Sequence, residues 1–111
     1  MSNGPSGPAY DRAAYELAAA RRKLGADEAD AVGDHAYDAY VSVRDVPYPH
    51  LVHEVYRSVT GVVLLVNRDG EDAEEERLTT HLETAQTAVE GMVELASEGK
   101  SLFSWDSYTL E

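Results

Sequence analysis

"SVTGVVLLV", residues 58 to 66, is the stretch on which the fold turns. Its β-branched residues suit a strand, and "SLFSWDSYTL" at 101–110 is a possible partner. A hairpin from 59–66 and 101–110 would make the protein α+β. Against this, Val52, Val55, Val59, Val62 and Val66 recur at three- and four-residue steps, the period of a helix. Leu51, Val63 and Leu65 join the stripe. The phase holds through the whole stretch, so helix is the preferred reading and the hairpin stays as the alternative. An element so apolar on nearly every side is expected to be central and buried.

The same period appears on either side. Upstream, Tyr10, Ala14, Leu17, Ala20 and Leu24 form one stripe, stopped by Gly25. Asp27 is placed to cap a second helix with the stripe Ala29, Val32, Ala36, Ala39, Val43 and Val46. Pro47 and Pro49 end that run, because a proline pushes the residue before it out of the helical region. Downstream, "NRDG" closes the third helix. Leu78, Leu82, Ala85, Val89, Met92 and Ala96 then keep a period near 3.5, a seam suited to knobs-into-holes packing. Taken from Glu71 to Glu98, this last helix is the longest and overhangs its neighbours. Short linkers favour antiparallel neighbours, so the expected architecture is an all-α, up-down four-helix bundle with a long, heptad-patterned C-terminal helix. The expected organisation is a flexible leader at 1–8, a single helical domain at 9–99 and an aromatic tail at 100–111.

Charge is the strongest compositional signal. There are 21 acids against 9 bases, a net charge of −12, and the acids are spread over every segment. A distributed excess is an adaptation of the whole surface, a lever that halophiles use. It points to a cytoplasmic protein of a salt-loving organism. The same field argues against DNA, since a phosphate backbone needs a basic stripe. The best basic cluster, Arg21-Arg22-Lys23, fits the C-terminal end of a helix instead. No apolar run approaches the roughly 18 residues of a membrane span, and no signal peptide is visible. With no cysteine there is no thiolate chemistry, and no cofactor is expected. Gly61 and Gly70 stand alone, so no phosphate-cradling loop is present.

Three groups of residues are candidates for a site. In "RDVPYPH", residues 44–50, the plain reading is a proline elbow with Arg44 at the end of one helix and His50 at the start of the next. The pair also resembles the motif of HEPN domains, an arginine, usually followed by a polar residue, then a histidine within four to six positions. HEPN domains are small all-helical proteins, often dimeric, and many are metal-independent ribonucleases. The resemblance implies an RNA substrate, with His50 moving the 2′-hydroxyl proton and Arg44 stabilising charge on the phosphate.

The second group is His50, His53 and Glu54, at i, i+3 and i+4, a spacing that suits a metal on one helical face. Asp30, Asp34 and Asp38, with His35 beside them, make a stripe that in so acidic a chain reads as a solvated face. His81 is expected to face solvent. The third group is the seam Leu78, Leu82, Val89 and Met92 together with Phe103 and Trp105 of the tail. These are expected to cover apolar area on another chain, making the protein a homodimer or the binder of an unknown protein partner. Contact between proteins rather than catalysis is the leading expectation, with the HEPN-like ribonuclease and the metal-binding bundle as alternatives.

Overall fold

A computed structural model describes residues 8–24 and 28–98. Four helices follow one another: α1 (Pro8–Leu24), α2 (Ala29–Val43), α3 (Pro49–Asp69) and α4 (Glu75–Ser97), with one 3-10 turn, Gly70–Asp72, before the last. Residues 58–66 are helical, and there is no strand among the described residues. The valine content lost to the valine spacing. Val55, Val59, Val62 and Val66 all sit on one buried stripe, and burial of that stripe outweighs a β-propensity that spans only about 1 kcal/mol. The other arm of the alternative hairpin, 101–110, lies outside the described residues, as do nearly all of the expected leader and the expected tail. Asp27 lies outside them too; α2 begins after Glu28, whose side chain makes no capping bond.

Each helix packs against the helices before and after it, and α4 returns to α1, closing the ring. The pairs run antiparallel. Lys23 near the end of α1 pairs with Glu28 just ahead of α2 at 2.9 Å, and Gly33 early in α2 faces Val66 late in α3. Gly91 late in α4 meets Leu51 early in α3. Arg21 donates to Gln86 at 2.9 Å and to Glu83 at 3.2 Å, tying the end of α1 to the middle of α4. Arg21, Arg22 and Lys23 occupy the last turn of α1. Gly70, with φ of 57°, ends α3 in the left-handed region that a Cβ disfavours.

Most of the expected core is found, with adjustments. In α1 the residues of the core cluster are Tyr10, Ala13, Leu17 and Ala20, so Ala13 takes the place expected for Ala14. The second half of α3 is less enclosed than its composition suggests: Leu64 is 62% exposed, because a ring of four helices leaves each an outer face. His81 is half-buried rather than solvent-facing. It lies on Gly61, where a Cβ would stand 2.7 Å from its Nε2.

The fourth helix corrects the expectation on which dimerisation rested. Gly70–Asp72 folds as a tight turn, so α4 starts at Glu75 and has 23 residues against 21 for α3. There is little overhang. Leu78, Leu82, Val89 and Met92 are all buried in the chain's own core. A 3.5-residue seam packs equally well against helices of its own bundle, and here α1 and α3 cover it. The seam is therefore not an open docking surface.

Candidate functional site

The proline elbow between α2 and α3 is built around Tyr48. Backbone bonds from Tyr48 N–H to the Val46 carbonyl, 2.9 Å, and from Val52 N–H to the Tyr48 carbonyl, 2.9 Å, turn the chain and start α3. Pro49 occupies the first turn, where its missing N–H leaves nothing unsatisfied. Between two exposed prolines, Tyr48 is driven inward to 2% exposure and meets Tyr10 of α1, also 2% exposed. The two phenols are hydrogen-bonded. Burial, followed by the neighbouring phenol and the bond to it, pushes the Tyr10 hydroxyl above its ordinary pKa. The elbow thus staples three helices at one end of the bundle.

The residues flanking it point elsewhere. Arg44 and His50 are both exposed. Arg44 lines an open groove between α2 and α3 with Tyr40, Asp45, Val46, Pro49, Val52, His53 and Tyr56, whereas His50 is not part of it. His53 and Glu54 part company as well. Successive helical residues diverge by about 100°, so His53 faces the α2–α3 groove while Glu54 lines the groove between α3 and α4. Among the described residues no group of three His, Cys, Asp or Glu side chains is placed to hold a metal ion. Phe103 and Trp105 lie outside the described residues.

What the α2–α3 groove does hold is a run of aromatic rings. Tyr37 and Tyr40 lie 6.4 Å apart between centroids, Tyr40 and Tyr56 5.4 Å, and His53 stacks on Tyr56 at 6.3 Å. Such tilted and stacked pairs are favourable geometries. Tyr37 is 52% and Tyr56 48% exposed, so the run is open to a partner. Beyond Tyr37 the groove continues past Gly33, Asp34 and Asp30 on α2 and Val63 and Asn67 on α3. The tyrosines drew no notice in the sequence because they interrupt no stripe. Their common signal was the spacing Tyr37, Tyr40, Arg44 along α2, which is legible as a face only once α3 lies beside it.

A second cluster also went unseen. Glu16 of α1 is 5% exposed, with His35 Nδ1 at 2.6 Å from one carboxylate oxygen and Arg12 Nε at 2.8 Å from the other. Burial by itself would raise the Glu16 pKa. The bonds from His35 and Arg12, with their charges, outweigh it and hold the carboxyl below the ordinary range. An ionised carboxylate only accepts, so His35 donates from Nδ1. Arg12 is largely in water and lies on α1 itself, so the bond that crosses from α1 to α2 is the one from His35.

A depressed carboxyl pKa gives stability that is present above the unfolded value of 4.5 and lost as pH falls through the folded one. Glu16→Gln is therefore expected to be less stable at neutral pH by about 1–3 kcal/mol, the range for hydrogen bonds to a charged group. Urea midpoints taken from neutral pH down through 4.5 check this. The difference between wild type and variant should shrink at the acid end, and a constant difference would remove Glu16 as its source.

These observations define a class: an all-α bundle of four antiparallel helices, with a stapled elbow and one open aromatic face. No family model, curated protein or solved structure matches the chain. No helix among the described residues is long and apolar enough to cross a membrane.

Proposed function

We propose that this chain is a small, acidic helical protein without a catalytic role, which acts by binding protein through the α2–α3 face. The observation that carries the reading is the run of exposed Tyr37, half-buried Tyr40 and exposed Tyr56, with His53 and Arg44 at one end. Tyrosine and arginine are the residues in which binding energy concentrates at protein interfaces, and a tyrosine loses little side-chain freedom when covered. The exposed Tyr15, by contrast, is packed under Arg22 of its own helix at 6.0 Å. In this reading the protein works in the cytoplasm of a salt-loving cell, supported by the spread of its acids over the whole chain.

The test is a photoreactive phenylalanine analogue placed at position 37, with position 15 as the control, in cells of the source organism. A discrete protein adduct is expected at 37, absent at 15, and lost when Tyr56→Ser is added. Equal labelling at both positions, or an adduct that survives Tyr56→Ser, would remove the α2–α3 face as a binding surface.

A further inference from the structure

Along α2, Asp30, Tyr37 and Arg44 stand seven residues apart. Seven residues make nearly two helical turns, so all three lie in one row, each step about 10.5 Å along the axis. The row runs down the α2–α3 groove, with Asp30 and Tyr37 lining its upper part and Arg44 its lower part. Asp30 and Arg44 are exposed, and neither makes an ion pair or hydrogen bond among the described residues. The row therefore carries an acid at one end, a base at the other and an aromatic ring in the middle. Its halves complement each other when one is turned over.

We propose that the occupant of this face is a second copy of the chain, laid antiparallel so that Arg44 meets the partner's Asp30. The inference rests on the binding role proposed for the α2–α3 face and names its partner. A two-fold axis lying in the interface, across α2 at the level of Tyr37, sets α2 over α2 and reverses its direction. Each Arg44 then reaches the partner's Asp30 and Tyr37 packs on its own symmetry mate, a self-complementary contact of the kind that closed dimers use. On α3 the same operation brings Tyr56 and His53 towards the partner's Asn67, a side chain able both to donate and to accept. The parallel alternative sets Arg44 against Arg44 and Asp30 against Asp30, and repulsion excludes it. Two Arg44 residues lie about 21 Å apart along the groove in the antiparallel arrangement.

Charge also says when the pair forms. Asp34 and Asp45 line the same groove, and each chain carries a net charge of −12, so two copies repel at low ionic strength. Molar salt cuts the Debye length to about 3 Å. That removes the long-range repulsion and leaves the aromatic contact and the close Arg44–Asp30 pairs.

Light scattering on the full chain in about 2 M KCl reads the result. The wild type is expected near twice 12.1 kDa, and Arg44→Asp and Asp30→Arg should each weaken the dimer at least tenfold, a loss of about 1.4 kcal/mol. The double variant, Asp30→Arg with Arg44→Asp, should recover the dimer mass, because the two ends have exchanged signs. Net charge alone predicts otherwise: Asp30→Arg makes the chain less negative and should then strengthen association. Both positions are exposed, and unchanged helical circular dichroism confirms that the variants fold. A monomeric wild type, single variants that stay dimeric, or a double variant that stays monomeric would each overturn the proposal. A monomeric chain whose position 37 still labels a different protein refutes the self-pairing and leaves the α2–α3 face as a binding surface.

Discussion

Tyr48→Ala is expected to bring the protein to the edge of unfolding. The side chain is among the largest that are fully buried, and truncating a buried aromatic costs about 3–5 kcal/mol. Tyr10 loses its hydroxyl partner at the same time and stays buried, adding about 1–3 kcal/mol. A domain of this size has only about 5–15 kcal/mol of stability in all. The melting temperature should therefore fall by roughly 15 °C or more, since each kcal/mol shifts it by about 4–8 °C in small domains. Tyr48→Phe keeps the ring and loses only the hydrogen bond, so it should cost about 1–3 kcal/mol. Thermal melts followed by circular dichroism separate the two. If the alanine variant melts within a few degrees of wild type, the elbow is held by its prolines and not by Tyr48.

Stability should rise strongly with salt. The described ion pairs are mostly solvent-facing: Arg21–Glu83, Lys23–Glu28, Arg68–Asp69 and Arg77–Glu74 all have at least one well-exposed member. Exposed pairs contribute about 0–1 kcal/mol each, and salt weakens them. Opposing that small loss is the relief of repulsion among 21 acids with 9 bases to balance them. Repulsion acts between all the acids at once, so its screening wins. The melting temperature should climb between about 0.1 and 2 M KCl, where the Debye length shrinks from about 10 Å to about 3 Å or less. A flat or falling curve would sink the salt-adapted reading.

Both effects bear on the α2–α3 face proposed as the binding surface. Tyr48 anchors the elbow joining α2 and α3, the two helices whose groove holds Arg44, Tyr40, His53 and Tyr56. In the proposed self-pairing, salt would set whether a second acidic chain can approach that face.

The sequence by itself determined the helices. The apolar spacing in Val52 to Val66 and in Leu78 to Ala96 was enough to place α3 and α4, because period is a local property carried by neighbours three and four residues away. It also determined the stop of α3 at Gly70 and the acid surface, whereas α2 ends at Val43, before the Val46 expected to close its stripe ahead of Pro47. Which side of each helix found a partner was decided by the tertiary structure. The α4 seam looked the same whether its cover came from this chain or another, and only the packed bundle shows that α1 and α3 cover it. Nothing local in the sequence marks Glu16, whose partner His35 lies 19 residues away. Tyr48 sat in no stripe, and its burial depends on Tyr10 arriving from the far end of the chain. His50 and His53 looked like partners in sequence, yet with α2 beside α3 only His53 lines the groove that holds Arg44. Local periodicity fixes where a residue lies on its own helix. What stands opposite it depends on contacts far apart in the chain, and no local pattern encodes those.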